Sequence, residues 1–357
     1  MTFIIEFFGK TTQLKQLFGI GLSLAVIGAC ARSSDNGDGV DDSGSPDTDA
    51  DSDTDTDSDI DADSDTDTAT DTTTSGETQM AIDVAYTPPE GGDDGMALMD
   101  LYYVPDGQPK KLVVFVHGGS WVSGDKANLA EATDFVPWFI ERDYVVAALN
   151  FRLASPLGTP KEVTYAEQAT DIAYALAWLT DKGADYGIAA SQALLFGYSS
   201  GAHLVALLAA DEQYLELAGL SHEDLAASIS FDVHAYDVPY ALELMQGSEL
   251  AMNIPLIEHL FGETENEQRI GSPSTYAESA AVPPSLLVSV QPSDKEGTHG
   301  YIASNATRSY AELLTAAGHE ATFVHFDNEN HASLILDFGT TGDGPTETVA
   351  TFLNELD

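Results

Sequence analysis

The sequence predicts an α/β domain, a mostly parallel central sheet flanked by helices with a small cap insertion, in the C-terminal part of a 357-residue chain. Three observations carry that expectation. From residue 80 onward, apolar runs of strand length alternate with helical patterns, the signature of α/β layering. Several of these runs are continuously hydrophobic, Leu112-Val113-Val114-Phe115-Val116 and Leu286-Leu287-Val288 among them, as suits strands covered on both faces. The rhythm breaks once, over residues 211–280, where Ile254-Pro255-Leu256-Ile257 and Gly271-Ser272-Pro273-Ser274 fit short helices lying over the C-terminal edge of the sheet.

The first 79 residues are of another kind. Residues 17–29 form a 13-residue apolar run with Lys10 and Lys15 on its N-terminal side. A membrane span needs roughly 20 such residues, so the run fits the core of a signal peptide over residues 1–29. Ile27-Gly28-Ala29-Cys30 resembles a lipobox, the processing site of bacterial lipoproteins. That resemblance implies that Cys30 becomes the acylated first residue of the mature chain, anchored by lipid in the cell envelope. Each buried methylene contributes ~0.8 kcal/mol, so more than one acyl chain makes a stable anchor. The alternative is a buried N-terminal helix with an incidental thiol. Cys30 is the sole cysteine, which excludes an intramolecular disulfide.

Residues 30–79 read as a tether. Residues 33–79 hold 17 acids and no Lys or Arg, with Asp at every second position from Asp47 to Asp67. Such a tract buries too little apolar surface to offset its ordering entropy, and its charges repel one another into extended chain. Diffuse cation binding is expected there. A built calcium loop is not, since no register supplies both the loop glycine and the terminal glutamate.

Residues 80–357 form the expected folded domain. Strands are predicted over residues 98–103, 112–116, 144–149, 193–196, 228–233, 285–290 and 321–326, and helices most clearly over 165–180 and 202–210. This part carries 41 of the chain's 59 acids and 10 of its 13 bases. The surplus of negative charge argues against a nucleic-acid partner, which needs clustered Lys and Arg, and favours a soluble, self-repelling monomer.

The strongest chemical signal is Gly197-Tyr198-Ser199-Ser200-Gly201, between an apolar strand and the helical run from Ala202. A serine on so tight a strand–turn–helix corner projects above the sheet as a nucleophile, and the helix start offers N–H groups to a developing oxyanion. Ser199 holds the central position, and the N–H of Ser200 should serve the oxyanion hole. His117-Gly118-Gly119-Ser120-Trp121 follows the strand over 112–116 directly, where the remaining oxyanion donors, Gly118 and Gly119, are expected. His117 reads as a brace for that loop. The chain order serine, acid, histidine then points to Asp294, after the strand over 285–290, and to His331, after the strand over 321–326. Glu296 is an alternative acid, and His299 and His325 are alternative bases. His325 falls inside a strand.

Taken with Ser123-Gly124-Asp125-Lys126, Asn150-Phe151-Arg152-Leu153 and Gly201-Ala202-His203-Leu204, these motifs resemble the esterase/lipase branch of the α/β-hydrolases. The likeness is closest to its bacterial feruloyl-esterase-like and kynurenine-formamidase-like group, and it spans residues 80–357. It implies the α/β-hydrolase fold and cleavage of a small-molecule or polysaccharide-linked ester through a Ser199–Asp294–His331 triad, with no cofactor and no metal. Amide or peptide hydrolysis by the same triad, or an inactive binding module, are the alternatives. The sequence departs from the group at Gln291, where a glycine is usual before the acid, and in a longer segment from Lys295 to Tyr301.

Overall fold

A computed structural model describes residues 76–92, 95–278 and 281–356, leaving out the side chains of Ala190 and Ser191. The apolar run, Cys30 and nearly all of the acidic tether lie outside the described residues.

In chain order the elements are β1 (Gln79–Ala85), β2 (Leu98–Tyr103), β3 (Lys110–Val116), α1 (Phe135–Ile140), β4 (Tyr144–Leu149), α2 (Tyr165–Lys182), β5 (Ile188–Tyr198), α3 (Ser200–Ala210), α4 (Gln213–Leu217) and β6 (Leu225–Phe231). Then come α5 (Val238–Met245), α6 (Ile254–Phe261), α7 (Glu265–Ile270), β7 (Ser285–Val290), α8 (His299–Ala316), β8 (Ala321–Phe326), α9 (Ser333–Leu336) and α10 (Gly344–Leu356). The eight strands form one sheet in the order β1-β2-β4-β3-β5-β6-β7-β8. The pairings β1/β2 and β2/β4 are antiparallel and the other five are parallel.

The continuous apolar runs are central strands, as their composition requires: residues 112–116 of β3 and all of β4 and β7 are buried. Helices cover both faces. On one, Leu112, Val114 and Leu195 pack with Ile172 and Leu176 of α2 and Leu204 and Leu207 of α3. On the other, Val113, Phe115 and Phe196 pack with Phe135 and Phe139 of α1 and Val349 of α10. Strand alternation splits β3 between the two layers. Helix α2 starts at a reciprocal cap in which Thr164 and Glu167 satisfy each other's backbone N–H groups.

Two differences from the sequence expectations matter. Strand β1 was not foreseen. It is an edge strand with a bulge between Ala81 and Val84 and with Met80 and Ile82 exposed, so it lacks the buried pattern that reveals the others. The strand expected over 228–233 runs instead over 225–231 and stops one residue short of Asp232. The segment expected as a cap does hold α5, α6 and α7.

Candidate active site

Ser199 stands at the corner between β5 and α3 with φ 56° and ψ −126°, a backbone region that a side chain rarely adopts. The corner is held from two sides. The Ser199 N–H donates to the Phe231 carbonyl at 2.8 Å, and the start of α3 presses against the end of β3. At Gly201 a methyl group would collide with the Val116 carbonyl oxygen, so the glycine lets helix and strand meet. Ser200 opens α3 and is buried, and its N–H belongs to the first turn, which has no intrahelical acceptor.

The Gly118–Gly119 loop abuts the serine. A Cβ on Gly118 would lie 2.7 Å from Ser199 Cβ, so only glycine permits that approach. His117 Nδ1–H donates to the Gly118 carbonyl at 2.8 Å while its ring stacks on Phe151 at 4.4 Å. Burial lowers its pKa, which keeps it neutral and in a bracing role. Trp121 Nε1–H donates to His203 Nδ1 at 3.2 Å, and the opposite nitrogen, Nε2–H, donates to the Gly271 carbonyl at 2.8 Å. Burial pushes the His203 pKa down to about 4, so this neutral tautomer persists. The tryptophan of the loop motif and the histidine of the elbow motif are thus bonded partners.

The other two motifs brace the same region. Asn150 accepts the Lys126 N–H at 2.6 Å and donates to Asp125 at 2.9 Å. Lys126 Nζ lies 2.7 Å from Asp83 and 2.9 Å from the buried Asp100. The Arg152 guanidinium grips both carboxylate oxygens of the buried Asp171 at 2.7 and 2.8 Å.

His331 follows β8. Tyr198, next to Ser199, donates its hydroxyl to the His331 carbonyl at 2.8 Å, and the two rings lie 4.8 Å apart. Here the structure brings a different carboxylate to the histidine than the one expected. His331 Nδ1–H donates at 2.6 Å to Asp232 Oδ2, and Asp232 comes from the end of β6, not β7. Asp294 lies exposed in the turn after β7, as does Glu296, and neither is hydrogen-bonded to His331 among the described residues. Asp232 is 1% exposed, with φ 56°. Its N–H donates to the Val288 carbonyl at 2.8 Å, and its Oδ1 accepts the Val290 N–H at 3.3 Å. Burial opposes its ionisation, but the charge and hydrogen bond of His299 and those of His331 outweigh burial and hold its pKa far below the usual carboxylate range. With Nδ1–H committed to Asp232, His331 presents a lone pair at Nε2 when neutral.

Of the alternative bases, His325 is inside β8, between Ser289 at 2.7 Å and Asp327 at 3.1 Å. His299 opens α8 and donates from Nε2 to Asp232 Oδ2 at 2.8 Å. Ligand atoms of Asp232, His299 and His331 lie within 4.8 Å of one another, a spacing that a metal ion could bridge. Both ring nitrogens donate a proton to Oδ2 in these hydrogen bonds, so an ion would have to break both bonds and take the other tautomers to bind there.

Comparison with known sequences decides the family. The BD-FAE family profile matches residues 99–291, more than half of the chain. The chain belongs to the BD-FAE family. It is 27% identical over 266 residues to a probable isoprenylcysteine alpha-carbonyl methylesterase of Arabidopsis thaliana, covering 69% of this chain and 50% of that protein. It is 26% identical to the esterase LipQ of Mycobacterium tuberculosis, covering 70% and 56%. The chain therefore spans about half the length of the curated relatives it matches. Among solved structures, esterase B of Lactobacillus rhamnosis superposes with a TM-score of 0.62 at 20% identity, covering 78% of this chain and 85% of that one, which supports the α/β-hydrolase fold.

Proposed function

We propose that this BD-FAE family member is a serine carboxylesterase with Ser199 as nucleophile, His331 as general base and acid, and Asp232 as the orienting acid. The observation that carries the reading is the 2.6 Å bond from His331 Nδ1 to a buried carboxylate, on a histidine braced by the tyrosine beside the elbow serine. Relatives named as esterases support the reaction class.

In this reading His331 Nε2 takes the Ser199 hydroxyl proton as the serine oxygen attacks the ester carbonyl. N–H groups of Gly118, Gly119 and Ser200 receive the oxyanion. Asp232 stabilises the imidazolium without taking its proton. His331 then protonates the leaving alkoxide as the C–O bond breaks. A water, deprotonated by His331, attacks the acyl-serine; His331 returns that proton to the Ser199 oxygen as the acyl C–O bond breaks and the acid leaves. The substrates proposed are small-molecule or polysaccharide-linked esters.

The test is labelling by a fluorophosphonate probe together with hydrolysis of p-nitrophenyl acetate. Wild type should label at Ser199 and turn over, and Ser199→Ala should do neither while keeping its melting profile. Labelling that survives in Ser199→Ala rejects the assignment. The envelope address is a proposal as well. It rests on the lipobox-like Ile27–Cys30 segment and predicts that mass spectrometry finds acyl chains on Cys30, lost in Cys30→Ser.

A further inference from the structure

A triad needs one imidazole on its acid, and Asp232 carries two. His331 Nδ1 and His299 Nε2 donate to the same oxygen, Oδ2, at 2.6 and 2.8 Å, and the two rings stand 5.5 Å apart at 66°. Building on the triad reading above, we propose that His299 is a positioning residue that acts on His331 through Asp232: neutral, it fixes the carboxylate; protonated, it draws on the negative charge that the imidazolium of the reaction needs.

The electrostatics follow from who faces whom. His299 meets Asp232 and, two residues on, His234 from the end of β6; Glu249 from the segment after α5; and His331 from the loop after β8. Its own loop adds the exposed Asp294, Lys295 and Glu296. Glu249 Oε1 accepts the His299 backbone N–H at 2.6 Å. Burial disfavours the cation at His299, yet Asp232 foremost and Glu249 after it raise its pKa above the ordinary histidine value. Burial keeps His234 neutral, with a pKa of about 4, so it adds no competing charge near neutrality.

Two imidazoles that share one carboxylate oxygen draw on the same negative charge. A proton on His299 is balanced by Asp232. While charged, His299 therefore weakens the help that Asp232 gives to the imidazolium formed during the reaction, and kcat/KM rises as His299 deprotonates.

The experiment is a kcat/KM profile of the full chain on p-nitrophenyl acetate from about pH 5 to about pH 9, the range in which histidines titrate. His299→Gln keeps a neutral N–H donor near the position of Nε2 but cannot become charged. It should remove the inflection that belongs to His299 from the profile, because no group at that position can then share the charge of Asp232 by gaining a proton. Glu249→Gln removes a surface charge that favours protonated His299 and should move the upper inflection to lower pH. It also reads the effect should His299→Gln fold poorly. A purely structural His299 would change the height of the profile and not its midpoints. Unmoved midpoints in both variants, beside an inactive Asp232→Asn, overturn this inference alone. An active Asp232→Asn overturns the triad reading and this inference with it.

Discussion

Strands β6 and β7 are parallel neighbours that end in the same way, yet only one end carries the carboxylate that meets His331. Each finishes with a residue at positive φ: Asp232 at 56° after Phe231, and Gln291 at 69° after Val290. At β6 that residue has a carboxylate, and the turn buries it beneath His331. At β7 the equivalent residue is an amide, and the nearest acid, Asp294, comes three residues later in an exposed loop. Chain order alone favours Asp294. The backbone favours Asp232, because the residue that turns out of the strand is held by the sheet and a residue further along the loop is not.

The largest expected effect divides the two ends directly. Asp232→Asn should lower kcat by up to ~10⁴-fold, as loss of the orienting acid does in the best-studied triad, while Asp294→Asn should leave kcat within about twofold. Steady-state rates on p-nitrophenyl acetate decide it, and a crippled Asp294→Asn beside an active Asp232→Asn would return the acid to β7. Next in size is Gly118→Ala, which pushes a methyl group toward Ser199 Cβ. Displacing one oxyanion donor costs about 10²–10³ in kcat, and full activity in this variant would remove the loop from the mechanism.

A smaller effect separates the two devices that hold His331. Tyr198→Phe removes the hydroxyl bond to its backbone and leaves the Asp232 bond intact. One neutral hydrogen bond is worth about 1 kcal/mol, so kcat should fall about fivefold. A loss as deep as that of Asp232→Asn would mean that the tyrosine, not the carboxylate, sets the geometry. Smallest is Trp121→Phe. It deletes the bond to His203 and should cost about 1 kcal/mol in denaturant unfolding, with the two rims of β6 and β7 untouched.

Much of this was legible in the sequence, for identifiable reasons. The central strands announce themselves through uninterrupted burial, and the elbow through glycines that its close approaches demand. The loop and elbow motifs were visible as residues, but the bond between Trp121 and His203 was not, because it joins positions 82 apart in the chain. The partner of His331 was hidden by a boundary. Ile229-Ser230-Phe231-Asp232-Val233 reads as one apolar strand, and placing its end two residues late put Asp232 inside the sheet. One signal was available: a lone carboxylate in a buried apolar run has to be partnered, and unused histidines further along the chain were its natural partners. His299 entered the sequence reading as a rival to His331, whereas the structure sets both on one carboxylate.

The neighbouring strands have one more consequence. The Ser199 N–H is bonded to the carbonyl of Phe231, and the peptide after that carbonyl belongs to Asp232. Ser199 and Asp232 are therefore registered through a single ladder step, with no long loop between them in space. The exposed turn from Pro292 to Glu296 is released from that duty and, among the described residues, makes no hydrogen bond to Ser199, Asp232 or His331. It is where a descendant of this chain can gain length, or an engineer can graft a peptide or a sugar-binding module, while Ser199, Asp232 and His331 keep their alignment.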